Sequence, residues 1–348
     1  MNLRSHLLAG HVIPAHPLAL DSQRRFSERH QRALTRYYLA AGAGGIAVGV
    51  HSTQFEIRDP QHALLKPVLQ LAAETAREAL RAEPRDVALI AGICGRTAQA
   101  VAEASLACEL GYHAGLVSMA AFKADAEVGI LAHIAAIAEV IPVIGFYLQP
   151  AVGGRVLSYA FWQRFAEIPN VVAIKIAPFN RYQTLDVVRA AIAAGRDDIA
   201  LYTGNDDTIV TDLLTPFRFA HEGKVVERRI VGGLLGHWGV WTHAAVRLLR
   251  EAKPAAQSPA LAAQWLTEAA AVTDMNAALF DAAHHFHGCI PGILEILRRQ
   301  GLVPTTLCLN ADEQLSPGQA DELDRVCAAY PHLVDDAFVA AHRDTWLR

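Results

Sequence analysis

The stretch VVAIKIA (171–177) is apolar at every position but one. It is too short for a helix of usual length, and without polar alternation it reads as a strand buried on both faces. Similar runs lie around it at HVIPAHPL (11–18), GGIAVGV (44–50), VALIAGIC (87–94), AGLVSM (114–119), IPVIGFYL (141–148), IALYTG (199–204) and RIVGGLL (229–235). Between them, Leu, Ala and charged residues at helical spacing predict helices over 67–82, 97–110, 126–140, 158–167 and 181–195. Eight buried strands alternating with helices predict a (β/α)8 TIM barrel. An open doubly wound sheet is the alternative, but ALDSQRRF (19–26), after the first strand, lacks the glycine-rich turn such sheets carry there.

After residue 243 the character changes. Residues 243–300 read as helices with no strand between them, 301–318 as a loop, and 317–329 and 330–348 as helical again. The expected division is a barrel over 1–243 and a helical C-terminal extension over 244–348, packed on the barrel. With 348 residues, 52% of them hydrophobic, the chain can bury a large core. A net charge of −4 offers no basic field for nucleic acid or a membrane surface. No uninterrupted apolar run reaches the ~18 residues of a membrane span. Pro14, His16 and Pro17 break the apolar opening segment, and no small-residue cleavage site follows it, so it does not read as a signal peptide. The five cysteines are scattered, odd in number and without a C-x-x-C pair, which fits reduced thiols in a cytoplasmic protein.

Lys175 is the one charge in its strand. A buried lysine costs free energy unless it is neutral or paired, and desolvation makes its amine a nucleophile toward a carbonyl. Near the C-terminal end of a barrel strand it would point at a substrate. Tyr147 ends the preceding strand, so its phenol is expected beside that amine, where Schiff-base chemistry needs a proton relay. Each alone has a plainer reading, a snorkelling lysine and a core tyrosine.

Two pieces, YLQPAVGG (147–154) and EIPNVVAIK (167–175), resemble the dihydrodipicolinate synthase and N-acetylneuraminate lyase family, including the 28-residue step from Tyr147 to Lys175. GAGGIAVGV (42–50), VALIAGICGRTAQAVAEA (87–104), LYTGNDD (201–207) and VGGLLG (231–236) extend the likeness over roughly 10–240. The resemblance implies a Schiff base at Lys175, Tyr147 as relay, a 2-oxo acid substrate or its aldol adduct, no cofactor, and a homodimer or homotetramer. It places substrate recognition at Ser52, Thr53, Gly204 and Asn205, and His51 and His237, at the catalytic rim, are candidates for a changed specificity. Val50 and His51 stand where the family has its Thr-Thr pair, with Ser52 and Thr53 following directly. Met119, Ala120 and Ala121 replace its Pro-Tyr-Tyr, and Val152 is nearest to its arginine. These departures point away from lysine biosynthesis and toward another 2-oxo acid. Asn205 and Asp206 would bind a substrate hydroxyl or cap the next helix.

His284, His285 and His287 lack any motif carboxylate and read as a polar helix face, not a metal site. Two further readings compete with the Schiff-base lyase. One is a metal-dependent class II aldolase or hydrolase using rim histidines, and the other is a non-catalytic ligand-binding relative.

Overall fold

The computed structural model describes residues 1–348. Eight parallel strands form the barrel: β1 (Val12–Pro14), β2 (Gly45–Val48), β3 (Ala88–Ile93), β4 (Ala114–Val117), β5 (Val143–Leu148), β6 (Val171–Ala177), β7 (Ala200–Thr203) and, after an inserted hairpin, β10 (Ile230–Leu235). β1 pairs with β10, and an Ala15–Ala47 bridge joins its other side to β2, so the sheet closes. All eight expected strands are present, within three residues of their expected starts. The hairpin, β8 (Phe217–His221) and β9 (Lys224–Arg228), is an addition absent from the expected pattern. Its two-residue turn at Glu222 and Gly223 has positive φ at both positions, as a tight hairpin requires.

Two apolar layers result. Ile13, Ile90, Leu116, Ile144, Phe146 and Tyr202 are among those filling the barrel. A larger layer, which includes Tyr147, Ile174 and Ile176, lies between strands and helices. The helix Leu3–Ala9 closes the bottom, with Leu7 fully buried in the barrel layer and its carbonyl accepting from Tyr202 Oη at 2.8 Å. Ser158 and Asn180 cap the two helices flanking β6, accepting from the backbone N–H of Phe161 and Gln183.

Alternation along β6 is interrupted once. Val143 pairs with Val171, but Ile144 pairs with Ala173, so β6 carries one extra residue at Val172. From there on its register is shifted by one, and a one-residue slip turns side chains to the opposite face. Phe146 therefore stands opposite Lys175, and Tyr147 opposite Ile176.

The helix Thr242–Gln257 packs on β1 and completes the eighth strand–helix unit. The helices Gln264–Leu279, Cys289–Arg299, Gln319–Ala329 and Asp336–Trp346 follow without a strand. Asp335 ties this extension to the barrel: its carboxylate accepts from Tyr37 Oη at 2.7 Å and from the His243 backbone N–H at 3.0 Å. No helix is long and apolar enough to cross a membrane.

At the upper ends of β2 and β3, Arg58 donates to the carbonyls of Gly49 and Gly92 and pairs with Glu103 at 3.0 Å. Both side chains are under 10% exposed. Removing one partner strands the other charge, so Arg58→Met is expected to lower unfolding free energy by about 3 kcal/mol or more in urea titration.

Candidate active site

Lys175 projects into the barrel and is 9% exposed. Its stem passes Gly204 so closely that a Cβ there would lie 2.6 Å from Lys175 Cε. Its Nζ stands 4.3 Å from the centre of the Phe146 ring. The ring face returns about 0.5–2 kcal/mol to a cation, less than a desolvated ammonium loses. Burial accordingly dominates and lowers the amine from 10.5 to about 8, while the charge of Asp206 acts in the opposite direction.

The amine opens into a cavity of about 70 Å³, several times the space one water needs. One wall is polar. Ser52 is 3% exposed and its hydroxyl has no protein partner. His51 beside it begins a short 3-10 turn, His51–Thr53, whose first N–H groups have no acceptor within the turn. Burial and then the Lys175 charge push the His51 imidazole down to about 4, so it is neutral at physiological pH. Asp206 faces the same space, with an Oδ1 shut off from solvent and unpartnered. Burial drives its carboxyl up to about 8, against the pull of Lys175.

The opposite wall is apolar, and much of it comes from the extension: Phe280, Phe286, Cys289 and Ile293. Phe286 meets Phe179 edge to face at 5.9 Å. Both have positive φ, a costly conformation for an aromatic residue that only the surrounding packing can hold.

The expected site residues divide accordingly. Lys175, His51, Ser52 and Gly204 line the cavity. Thr53 does not: its hydroxyl donates to the His16 carbonyl and accepts from the Gly49 and Val50 N–H groups. Asn205 does not either, because its amide accepts from Phe179 N–H and donates to Thr184 and Asp212. It braces the turn from which Asp206 projects. His237 is buried edge to face against Trp241, and burial pushes it down to about 4; its neighbour Gly236 lines the cavity instead.

Tyr147 departs most from expectation. It packs on Trp162 in the outer layer, and its hydroxyl donates to the Leu157 carbonyl at 3.3 Å and accepts from the Leu157 N–H at 3.2 Å. The extra residue in β6 is the cause: an unbroken 28-residue register would place Tyr147 opposite Lys175, and the shift substitutes Phe146. His284 and His285 are exposed, and His284 pairs with Asp281 at 2.5 Å. No group of three or more His, Cys, Asp or Glu side chains is disposed to hold a metal ion. The lining residues of the extension carry little sequence signal. The Gly288-Cys289 start of an amphipathic helix is the only local hint, and it is shared with ordinary helix termini.

Fold and site together define a (β/α)8 barrel with a single buried lysine near the C-terminal ends of its strands. The chain belongs to the dihydrodipicolinate synthetase family, whose model matches residues 9–216. A 4-hydroxy-tetrahydrodipicolinate synthase of Aromatoleum aromaticum is 31% identical over 180 residues, 50% of this chain and 56% of that protein. The chain thus spans little more than half the length of that curated relative. Among solved structures, dihydrodipicolinate synthase from Acinetobacter baumannii, complexed with pyruvate, superposes with a TM-score of 0.73 at 20% identity, covering 95% of this chain and 99% of that one. N-acetylneuraminate lyase from Fusobacterium nucleatum, also complexed with pyruvate, gives 0.71 at 16% identity, covering 94% and 98%. These likenesses establish a shared fold.

Gly204 is the tightest point of the site. Gly204→Ala is expected to drive the Lys175 side chain from its position and to cost about 1–3 kcal/mol through overpacking. Urea titration reads the cost, and the rate of Lys175 labelling by an amine reagent reads the displacement.

Proposed function

We propose that this chain is a lyase in which Lys175 forms a Schiff base with the C2 carbonyl of a 2-oxo acid or its aldol adduct. The observation that carries the reading is the amine itself: buried, facing a cavity, and lowered to about 8. At pH 7 about one such amine in ten is neutral, against about one in three thousand for an ordinary lysine. The iminium would then accept the electron pair of an adjacent bond, as in aldol cleavage, aldol condensation or dehydration. The Ser52 hydroxyl and the free N–H groups opening its turn suit the substrate carboxylate. A neutral His51 adds a hydrogen bond there, not a counter-charge. The relatives that hold pyruvate support this choice of substrate class.

One observation favours a second reading, a binding-only relative: the side chain beside the amine is Phe146, which carries no proton. Sodium borohydride with pyruvate separates the two. The expected result is a reduced adduct on Lys175, lost in Lys175→Ala, with a trapping rate that rises with pH and levels off above about 8 as the amine loses its proton. A folded wild-type chain that stabilises with 2-oxo acids but traps none would support the binding-only reading.

Tyr147→Phe distinguishes the outward phenol from a relay. It should leave the trapping rate unchanged and cost only about 1 kcal/mol of stability, the worth of a hydrogen bond, in urea titration.

A further inference from the structure

We infer that Asp206 is the proton-transfer residue of this site, moving protons to and from the atoms joined to Lys175. The inference rests on the Schiff-base reading above. The chemistry needs an acid to release water from the carbinolamine and a base for the C3 proton of the resulting iminium.

The tyrosines near Lys175 are directed elsewhere. The Tyr147 hydroxyl is bound to Leu157 in the outer layer. Tyr202 stands opposite Lys175 on β7, but its hydroxyl reaches down to the Leu7 carbonyl at the barrel floor. Asp206 lines the cavity with a free, solvent-shielded Oδ1. Its backbone is fixed from two sides. Asn276 of the extension donates to the Asp206 carbonyl at 2.6 Å, and Thr273 donates to that of Asp207 at 2.8 Å. Beneath it, Asp212 accepts from Thr203 and Asn205 and pairs with Arg181 at 2.6 Å. The carboxylate is held by its backbone while its own oxygen stays uncommitted, as a group that exchanges protons requires.

The steps balance. The neutral Lys175 amine attacks C2 and the carbonyl pair moves to oxygen. That oxygen leaves as water with one proton from the amine nitrogen and one from the Asp206 carboxylic acid, leaving the iminium. The Asp206 carboxylate then takes a C3 proton. The C3–H pair becomes the C2=C3 bond, and the C=N pair returns to nitrogen as a neutral enamine.

The charged and titratable groups facing Asp206 are Lys175 on β6, His51 after β2, Cys289 of the extension and Asp207 on its own turn. His51, held near 4, and Cys289, whose thiol burial pushes up, do not titrate near 8. The pair Lys175 and Asp206 does.

The test combines borohydride trapping of pyruvate with exchange of its C3 protons in deuterated water, followed by proton NMR. Wild type should trap and exchange, with exchange peaking near pH 8, where the neutral Lys175 amine and the Asp206 acid are both available. Asp206→Asn should trap more slowly, because water loss from the carbinolamine has lost its acid, while exchange, which needs Asp206 at both steps, falls further, about 100-fold or more, and Asp206→Glu should recover part of both. Thermal unfolding confirms that each variant is folded. Exchange by Asp206→Asn within a few-fold of wild type overturns the assignment and leaves the Schiff base standing. Equal loss of trapping and exchange in that variant also overturns it, making Asp206 a residue that only positions Lys175. Trapping without exchange in wild type overturns it too. No trapping by wild type overturns the Schiff-base reading, and this assignment falls with it.

Discussion

The site depends on the burial of one amine. Lowering Lys175 from 10.5 to about 8 corresponds to roughly 3 kcal/mol of preference for the neutral form. Three groups oppose it, the Phe146 ring face, the Asp206 carboxyl and Cys289, and none forms a direct ion pair with the ammonium. An adjacent arginine or a hydrogen-bonded carboxylate would have set the amine's charge at a fixed value. Dehydration without a firm partner leaves both protonation states within reach, and Asp206 is held in the same condition from the other side.

That condition is built by parts of the chain far apart in sequence. The barrel supplies the lysine, but the lid over it comes from the helical extension, through Phe280, Phe286, Cys289 and Ile293. The extension also grips the turn after β7, where Asn276 and Thr273 hold the carbonyls of Asp206 and Asp207. Asp335 anchors it to Tyr37 and His243. Removing the lid would admit water, and the shift of the amine, which is mostly a desolvation effect, would shrink with it. Residues on both sides of position 243 line the one cavity.

The strands were legible because burial on both faces leaves an uninterrupted apolar run, and Lys175 was conspicuous as the break in one. Ser52 and His51 were legible as the polar turn after β2. The partner of the amine was not. A strand's period is two, so one extra residue at Val172 reverses which face every later side chain takes. Nothing in VVAIKIA distinguishes a bulged strand from a regular one, and the 28-residue step from Tyr147 to Lys175 is the same either way. The β8–β9 hairpin was missed for a different reason. Its strands are five residues each and alternate only between exposed and mostly half-buried positions, with Arg218, Lys224 and Glu227 exposed, so they lack an apolar run, although Glu222-Gly223 is a legible turn. Asn205 and Thr53 show the converse: the polar residues flagged in a rim loop proved to be the ones that build the loop, their hydrogen bonds already spent on backbone and on Asp212.

The two walls of the cavity also constrain what the chemistry can use. An unpartnered hydroxyl at Ser52 and an unpartnered oxygen at Asp206 are costly to bury, roughly 1–3 kcal/mol each by ordinary measures. A fold keeps such groups when a ligand or a reacting atom completes them. The apolar part of the lining includes the Phe179–Phe286 pair at strained backbone positions, and Gln149 adds a polar side chain. In the proposed reaction, a carbonyl carbon at Lys175 with its carboxylate toward Ser52 would complete the unpaired hydroxyl. The same arrangement leaves Asp206 as the one acidic group of the lining, so the burden of proton movement falls on a single side chain whose charge is tied to that of the amine it serves.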